Sequence, residues 1–310
     1  KRVLTLIATL IGASIVIFIV MEILPGDPAL VILGVDASPE AIQSLTKELG
    51  LDRPPIERYW GWISGLLQGE LGTSYAYKVP IWELIEGALL VTLPLAILSI
   101  TLSIILALVI GLYAAANHNK AGDITLMGIS QLGISVPNFW LAILLILLFA
   151  IELRWLPSGG FPGWKEGFWP NIRAMILPSL ALATVIGAIL ARITRSSVLE
   201  VFREDYVRTA RAKGLSQRAT LWRHVLRNAM IPVLTVTGIQ FAALLTGTVV
   251  VENVFRLPGL GSLVPKAINN RDTIVVENVV LLLAAMVIIV NFIVDLLYAV
   301  VDPRLKAHDI

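Results

Sequence analysis

Residues 89–116 read LLVTLPLAILSITLSIILALVIGLYAAA, with no charged side chain from Leu89 to Ala116. Wound as a helix, this stretch reaches about 42 Å, more than the ~30 Å hydrocarbon core of a bilayer. Similar apolar stretches recur at 3–24, 125–153, 175–197, 230–251 and 278–301, each bounded by charge, proline or glycine. That makes six predicted spans. Over 310 residues, 57% are hydrophobic and 15% charged, and the mean hydropathy is +0.83. Ordinary soluble chains hold ~45–50% apolar residues even with glycine counted. The composition excludes a disordered or nucleic-acid-binding class and predicts an all-α integral membrane protein in contact with the lipid bilayer.

Val3 to Leu24 is too long for a signal-peptide core and lacks a small-residue cleavage pattern, so it reads as a retained helix. Lys1 in place of an initiator methionine leads us to expect a few further cytoplasmic residues upstream. The chain has no cysteine, which removes disulfides, thiolate metal sites and cysteine nucleophiles. His118, His224 and His308 lie far apart in sequence and suggest no metal site. The 24 basic and 22 acidic residues nearly cancel, so orientation rests on their placement. Segment 25–87 holds nine acidic and four basic residues, whereas 191–229 holds nine basic and three acidic. The positive-inside rule puts 191–229 in the cytoplasm. Both termini are then cytoplasmic, and 25–87, 154–174 and 252–277 lie outside.

Within the outer segment, short helices are expected around Ser38–Gly50 and Pro55–Leu67, followed by turns at Gly69 and Gly72. It reads as a cap on the spans. Trp60, Trp62, Tyr75, Tyr77 and Trp82 suit a membrane–water interface, where one end of the ring is apolar and the other wet.

The cytoplasmic stretch from Val198 to Leu215 carries Leu199, Phe202, Tyr206 and Ala210 at the spacing of one apolar helical face. Gly214 supplies a stop, since glycine takes the left-handed conformation after a helix C-terminus. Ser216 can cap the next helix, which runs through Trp222 and His224 toward Pro232. A surface for a partner protein and a basic loop drawn to anionic lipid both fit this pattern.

Tyr206-Val207-Arg208-Thr209-Ala210-Arg211-Ala212-Lys213-Gly214-Leu215 resembles the peptide-permease version of the EAA loop of ATP-binding-cassette importers. In the general pattern Glu-Ala-Ala is followed by three residues and glycine. Here Arg208-Thr209-Ala210 fill those positions with Gly214 in register, so only the last alanine and the glycine agree with the general form. Arg227-Asn228-Ala229-Met230-Ile231-Pro232 agrees with the peptide branch. So do Leu24-Pro25-Gly26-Asp27-Pro28, Leu49-Gly50-Leu51-Asp52-Arg53-Pro54, Gly69-Glu70-Leu71-Gly72-Thr73-Ser74 and Val254-Phe255-Arg256-Leu257-Pro258-Gly259-Leu260-Gly261. The later Val294-Asp295-Leu296-Leu297-Tyr298 and Asp302-Pro303-Arg304 are similar to the first permease subunit of dipeptide, oligopeptide, glutathione and nickel importers.

The resemblance implies a type I ABC-importer transmembrane fold. Its parts would be an N-terminal helix at 1–24, an extracytoplasmic cap at 25–90, a permease domain at 91–302 with a cytoplasmic coupling loop at 198–229, and a cytoplasmic tail at 303–310. It also implies half of a pore in a bacterial or archaeal cytoplasmic membrane. The implied partners are a second homologous permease, two cytoplasmic ATP-binding subunits and an extracytoplasmic substrate-binding protein. ATP and Mg would belong to the ATPases, and no cofactor to this chain. Consistent with that division, the sequence lacks a Gly-x-x-x-x-Gly-Lys-Ser/Thr phosphate loop. Tyr206, Ala210 and Leu215 would pack on the ATPase, with Arg208, Arg211 and Lys213 making charged contacts and Thr209 lying between them.

Polar groups within spans are candidates for the translocation path, because hydrocarbon penalises them unless protein or water satisfies them. Gln240, Thr246 and Thr248 come first, then Gln131, Asn138 and Asn291; helix–helix hydrogen bonding is their alternative role. Asp295 reads as one half of a structural ion pair. The loop from Phe255 to Arg271 reads as a plain connection or a dip toward the pore. A secondary transporter needs ionisable groups deep in the membrane, and few occur here. No Ser/His, paired-Asp or His-Glu-x-x-His arrangement supports an intramembrane enzyme. Among cargoes peptides are favoured, with nickel chelate, glutathione and oligosaccharide as alternatives.

Overall fold

The computed structural model describes residues 2–23, 28–34 and 37–301, with backbone alone at 2, 217 and 295–301. The turn at 24–27, the tail at 303–310 and the Asp295 side chain lie outside the described residues. The described chain is helical, with a single isolated antiparallel bridge between Thr73 and Pro80. The helices are α1 (Arg2–Ile23), α2 (Pro28–Leu33), α3 (Pro39–Glu48), α4 (Pro55–Gln68), α5 (Ile81–Ala116), α6 (Ala121–Ser135) and α7 (Asn138–Leu145). After them come α8 (Phe168–Val201), α9 (Asp205–Ala212), α10 (Gln217–Thr220), α11 (Leu226–Val254), α12 (Leu260–Asn269) and α13 (Thr273–Val301). π-helical turns at Ile146–Glu152 and Leu221–Val225 extend α7 and join α10 to α11.

Five stretches are long and apolar enough to cross a membrane: α1, α5, α8, residues 218–254, and α13. The third predicted span, 125–153, is instead a broken one. α6 and α7 meet at a bend of 105° at Val136–Pro137. Proline drives the residue before it out of the helical region, and Val136 is extended at φ −85°, ψ 125°.

Contacts divide the chain into two units, residues 1–92 with 258–289 and residues 93–257 with 290–310. In the first, an apolar core joins Ile81, Ile85 and Ala88 to Leu260, Ala267, Val275 and Val279. The cap helices start and stop where the sequence predicts. Ser38 caps α3 by accepting from the Ala41 amide, Pro55 opens α4, and Gly69 closes it in the left-handed region. Trp60 and Trp82 are exposed, as an interface belt requires, but Trp62 is not such an anchor. Its ring stacks on Phe18 of α1 and its indole N–H donates to Asn278, while Tyr59 Oη and Ser14 Oγ lie 2.9 Å apart. The segment predicted as a loop at 255–271 contains α12, whose Leu260, Leu263 and Ala267 are buried.

In the second unit α8 is the centre, packed by α6, α7 and α11. Its most apolar window is 72% buried inside the chain, against 11% for α1, so α8 forms core where α1 offers its side chains outward. A Cβ at Gly111 would stand 2.6 Å from Thr194 Cβ and 2.8 Å from the Ala191 carbonyl. Glycine is what lets α5 and α8 approach that closely.

Candidate functional site

The apolar face read continuously through residues 199–210 is not one helix. α8 ends at Val201, the chain turns at 202–204, and α9 starts afresh at Asp205. The turn directs the apolar residues of both pieces inward. Val207, fully buried, enters a socket made by Ala115 of α5, Val198 of α8, Val225 and Ala229, with Phe202 and Leu199 packed around it. Burying one valine contributes roughly 1.5–3 kcal/mol, enough to hold a short helix against the ends of the long ones. Ala210 is also buried, which removes it from the predicted ATPase-packing set. Val207 escaped the sequence reading because its place in the face appears only once the helix break is known.

The outward face of α9 holds Tyr206, Arg208, Thr209 and Arg211, followed by Lys213, all exposed. Arg208 and Asp205 pair at 3.3 Å, a solvent-exposed contact of little weight. Asn228 donates to the Tyr206 hydroxyl at 2.7 Å, pinning this ring to α11. Gly214 lies at φ +90°; its N–H bonds the Arg211 carbonyl, and the Leu215 N–H bonds the Ala210 carbonyl. These two bonds make the glycine-dependent helix stop that the sequence predicts. Leu215 is half-buried, and Ser216 accepts from the Ala219 amide. Trp222, 57% exposed on the following π turn, adds a large apolar ring to the exposed surface of this segment.

At the same end of α8 the structure assembles a charged clamp with no sequence motif to announce it. Asp123, 2% exposed, accepts two bonds from Arg195, Nε to Oδ1 at 2.6 Å and Nη2 to Oδ2 at 2.7 Å. The Asn119 amide also reaches Oδ2 at 2.9 Å, and His118 Nδ1 lies 3.0 Å from Arg195 Nη2. The clamp ties the α5–α6 turn to α8, the helix that leads into α9.

The predicted path residues separate by position. Asn138, at the break between α6 and α7, packs near Gly247 of α11, with its Nδ2 3.9 Å from where a Cβ would stand. Thr246 on one side of that glycine is exposed, whereas Thr248 on the other is fully buried and donates to the Leu245 carbonyl. Buried in its own chain, Thr248 does not line an open path here. Gln240 is half-buried and Asn291 exposed. Gln131 lies apart from Asn138, beside Arg192. Thr248→Val removes one intrahelical bond, worth ~1 kcal/mol, and should leave uptake by reconstituted vesicles unchanged. Thr246→Val should slow it; the reverse order would refute this division.

Outside the spans, the Tyr75 phenol is pushed up to about 12 by burial, with the carboxylates Glu277 and Asp272 adding to the shift. Asp272 accepts from Ser74 Oγ and from the Ala76 amide, fixing the turn that follows the cap helices.

A family profile described as binding-protein-dependent transport system inner membrane component matches residues 107–307. A second, for the N-terminal part of such membrane components, matches residues 1–96. The chain is 41% identical over 306 residues to the glutathione transport system permease protein GsiC of Escherichia coli K12, covering 99% of this chain and 97% of that protein. It is 40% identical over 326 residues to the dipeptide transport system permease protein DppB of Alkalihalophilus pseudofirmus OF4, covering 99% and 98%. A chain of the inward-facing MetNI methionine ABC transporter overlays with a TM-score of 0.60, covering 71% of this chain and 97% of that one. At 17% identity this is a likeness of fold.

Proposed function

We propose, from the premise that this chain belongs to the inner-membrane component family of binding-protein-dependent transport systems, that it forms half of the translocation pore of an ATP-driven importer of di- and oligopeptides. Family membership makes it a multi-pass inner-membrane permease that works with an ATPase. The finer composition is our reading: a second homologous permease, two cytoplasmic ATP-binding subunits that hold ATP and Mg, and an extracytoplasmic substrate-binding protein. Both termini are assigned to the cytoplasm, following the basic 191–229 segment.

The observation that carries the reading is α9. It is anchored by Val207 in a socket shared with α5, α8 and the α10–α11 junction, and it turns Tyr206, Arg208, Thr209 and Arg211 outward. A short helix so mounted transmits displacement, because its buried residue cannot move without disturbing the ends of several long helices. The ATPase would grip the outward face, with Tyr206 and Leu215 packing and Arg208, Arg211 and Lys213 meeting acidic groups. Movement of α9 would then pass through α8 to the broken α6–α7 segment, where Asn138 and Thr246 lie near one glycine. Glutathione is a second cargo within the same class, favoured by the 41% identity to GsiC.

Affinity purification of this chain from its native membrane tests the assembly. Recovery with a second permease and two ATPases, and hydrolysis stimulated by a dipeptide in the presence of the binding protein, is expected. An isolated chain that accumulates substrate on a proton gradient would overturn the reading.

A further inference from the structure

Between α6 and α8 lies a cavity of about 370 Å³ lined by Ile124, Met127, Ile134, Gln131, Arg192 and Arg195, with Asp123 and Ser130 also in its wall. Its volume falls in the ~300–1,000 Å³ range of small-molecule sites. Two arginines face one aspartate there. Asp123 is committed to Arg195, whereas among the described residues the Arg192 guanidinium reaches only Gln131, at 3.5 Å. The rest of the lining is apolar, and Ile124 is 68% exposed. The cavity therefore joins an uncompensated cation to a hydrocarbon-like wall, the complement of an amphipathic anion.

Its depth is fixed by the length of α8. The helix begins among the exposed aromatics Trp155, Phe168 and Trp169, which suit one membrane interface, and Arg173 there donates to the Trp155 carbonyl. From Arg173 to Arg192 is about 28 Å of helix, the thickness of the hydrocarbon core. Arg192 thus stands at the opposite boundary, on the side of the α5–α6 turn and the basic segment assigned to the cytoplasm. Basic pockets between helices at that level bind anionic lipid headgroups.

We propose that this groove is a binding site for an anionic phospholipid of the inner leaflet, its phosphate on Arg192 with Gln131 and Ser130 as further polar partners, and its acyl chain along Ile124, Met127 and Ile134. The lipid would rest against the Asp123–Arg195 clamp and so against the helix that carries α9. The site depends on the chain being a membrane permease but not on the identity of its cargo.

Native mass spectrometry of the complex purified from its membrane, then exchanged against phosphatidylglycerol, phosphatidylethanolamine, inorganic phosphate or a dipeptide, tests the site. The complex should retain phosphatidylglycerol in preference to phosphatidylethanolamine. Arg192→Gln should weaken that retention about five-fold, the weight of one basic residue at a membrane surface, and Arg192→Lys should restore it. Met127→Trp, which fills the apolar wall and leaves every charge in place, should lower it as well. Equal retention in wild type and both disruptive variants would overturn the proposal. Displacement of the lipid by phosphate or dipeptide would assign the groove to a soluble anion and overturn it equally.

Discussion

Gly214→Pro should abolish substrate-stimulated ATP hydrolysis and uptake while the chain still inserts and assembles. Gly214 sits at φ +90°, and proline holds φ near −65°, so α9 cannot end as it does. The substitution also deletes the N–H that bonds the Arg211 carbonyl. Proline where neither its φ nor its missing donor is tolerated costs ~3 kcal/mol or more, which corresponds to roughly a hundred-fold or greater loss of the coupled geometry. The cost falls on an exposed turn between two membrane helices, so insertion survives. Asparagine tolerates the left-handed region, and Gly214→Asn should retain most activity. Normal peptide-stimulated hydrolysis by the reconstituted Gly214→Pro complex would refute the role of this turn in coupling.

The second large effect is expected on stability. Asp123→Ala leaves Arg195, only 23% exposed, with its guanidinium facing an empty wall and the Asn119 amide without its acceptor. Removing one member of a buried pair costs ~3–5 kcal/mol. The partial exposure of Arg195 puts the expectation near the lower end, because water can reach part of the stranded charge. A fall of several degrees in the unfolding temperature of the purified complex checks this. Asp123→Ala combined with Arg195→Leu should recover much of the loss, since the pair then leaves no charge behind; failure of the double variant to recover would mean that the pair does more than satisfy itself. His118 cannot substitute for the carboxylate, as it offers a single ring nitrogen, 3.0 Å from Arg195 Nη2 and 3.4 Å from Asp123 Oδ2, where the carboxylate offers two oxygens.

The loop at 198–229 is partly legible in sequence. Gly214 and Ser216 punctuate the chain by local chemistry, and both act where they were expected. The packing of the apolar face is not legible, because a periodicity count run from Leu199 to Ala210 presumes a continuous helix, and the break at 202–204 rotates everything after it. Ala210 consequently faces the chain's own interior, and Val207, absent from the counted face, is the anchor. Tyr206 is legible as a member of the apolar face but not as an acceptor for Asn228, twenty-two positions away. Thr246 and Thr248 look equivalent as letters in an apolar span; packing alone makes one exposed and the other buried.

Sequence by itself determined the membrane class, the apolar segments and the starts and stops of the cap helices, because solvation and backbone chemistry act residue by residue and leave periodic or local marks. It also placed a proline at the point where the third span bends. Tertiary structure decided how sharply that span bends, the grouping of residues 258–289 with the N-terminal unit, and the meeting of Asp123 with Arg195 seventy-two positions later. It also decided which face of α9 is exposed. These features depend on which distant side chains share one volume, and the competition for that volume leaves no periodic trace in the order of the chain.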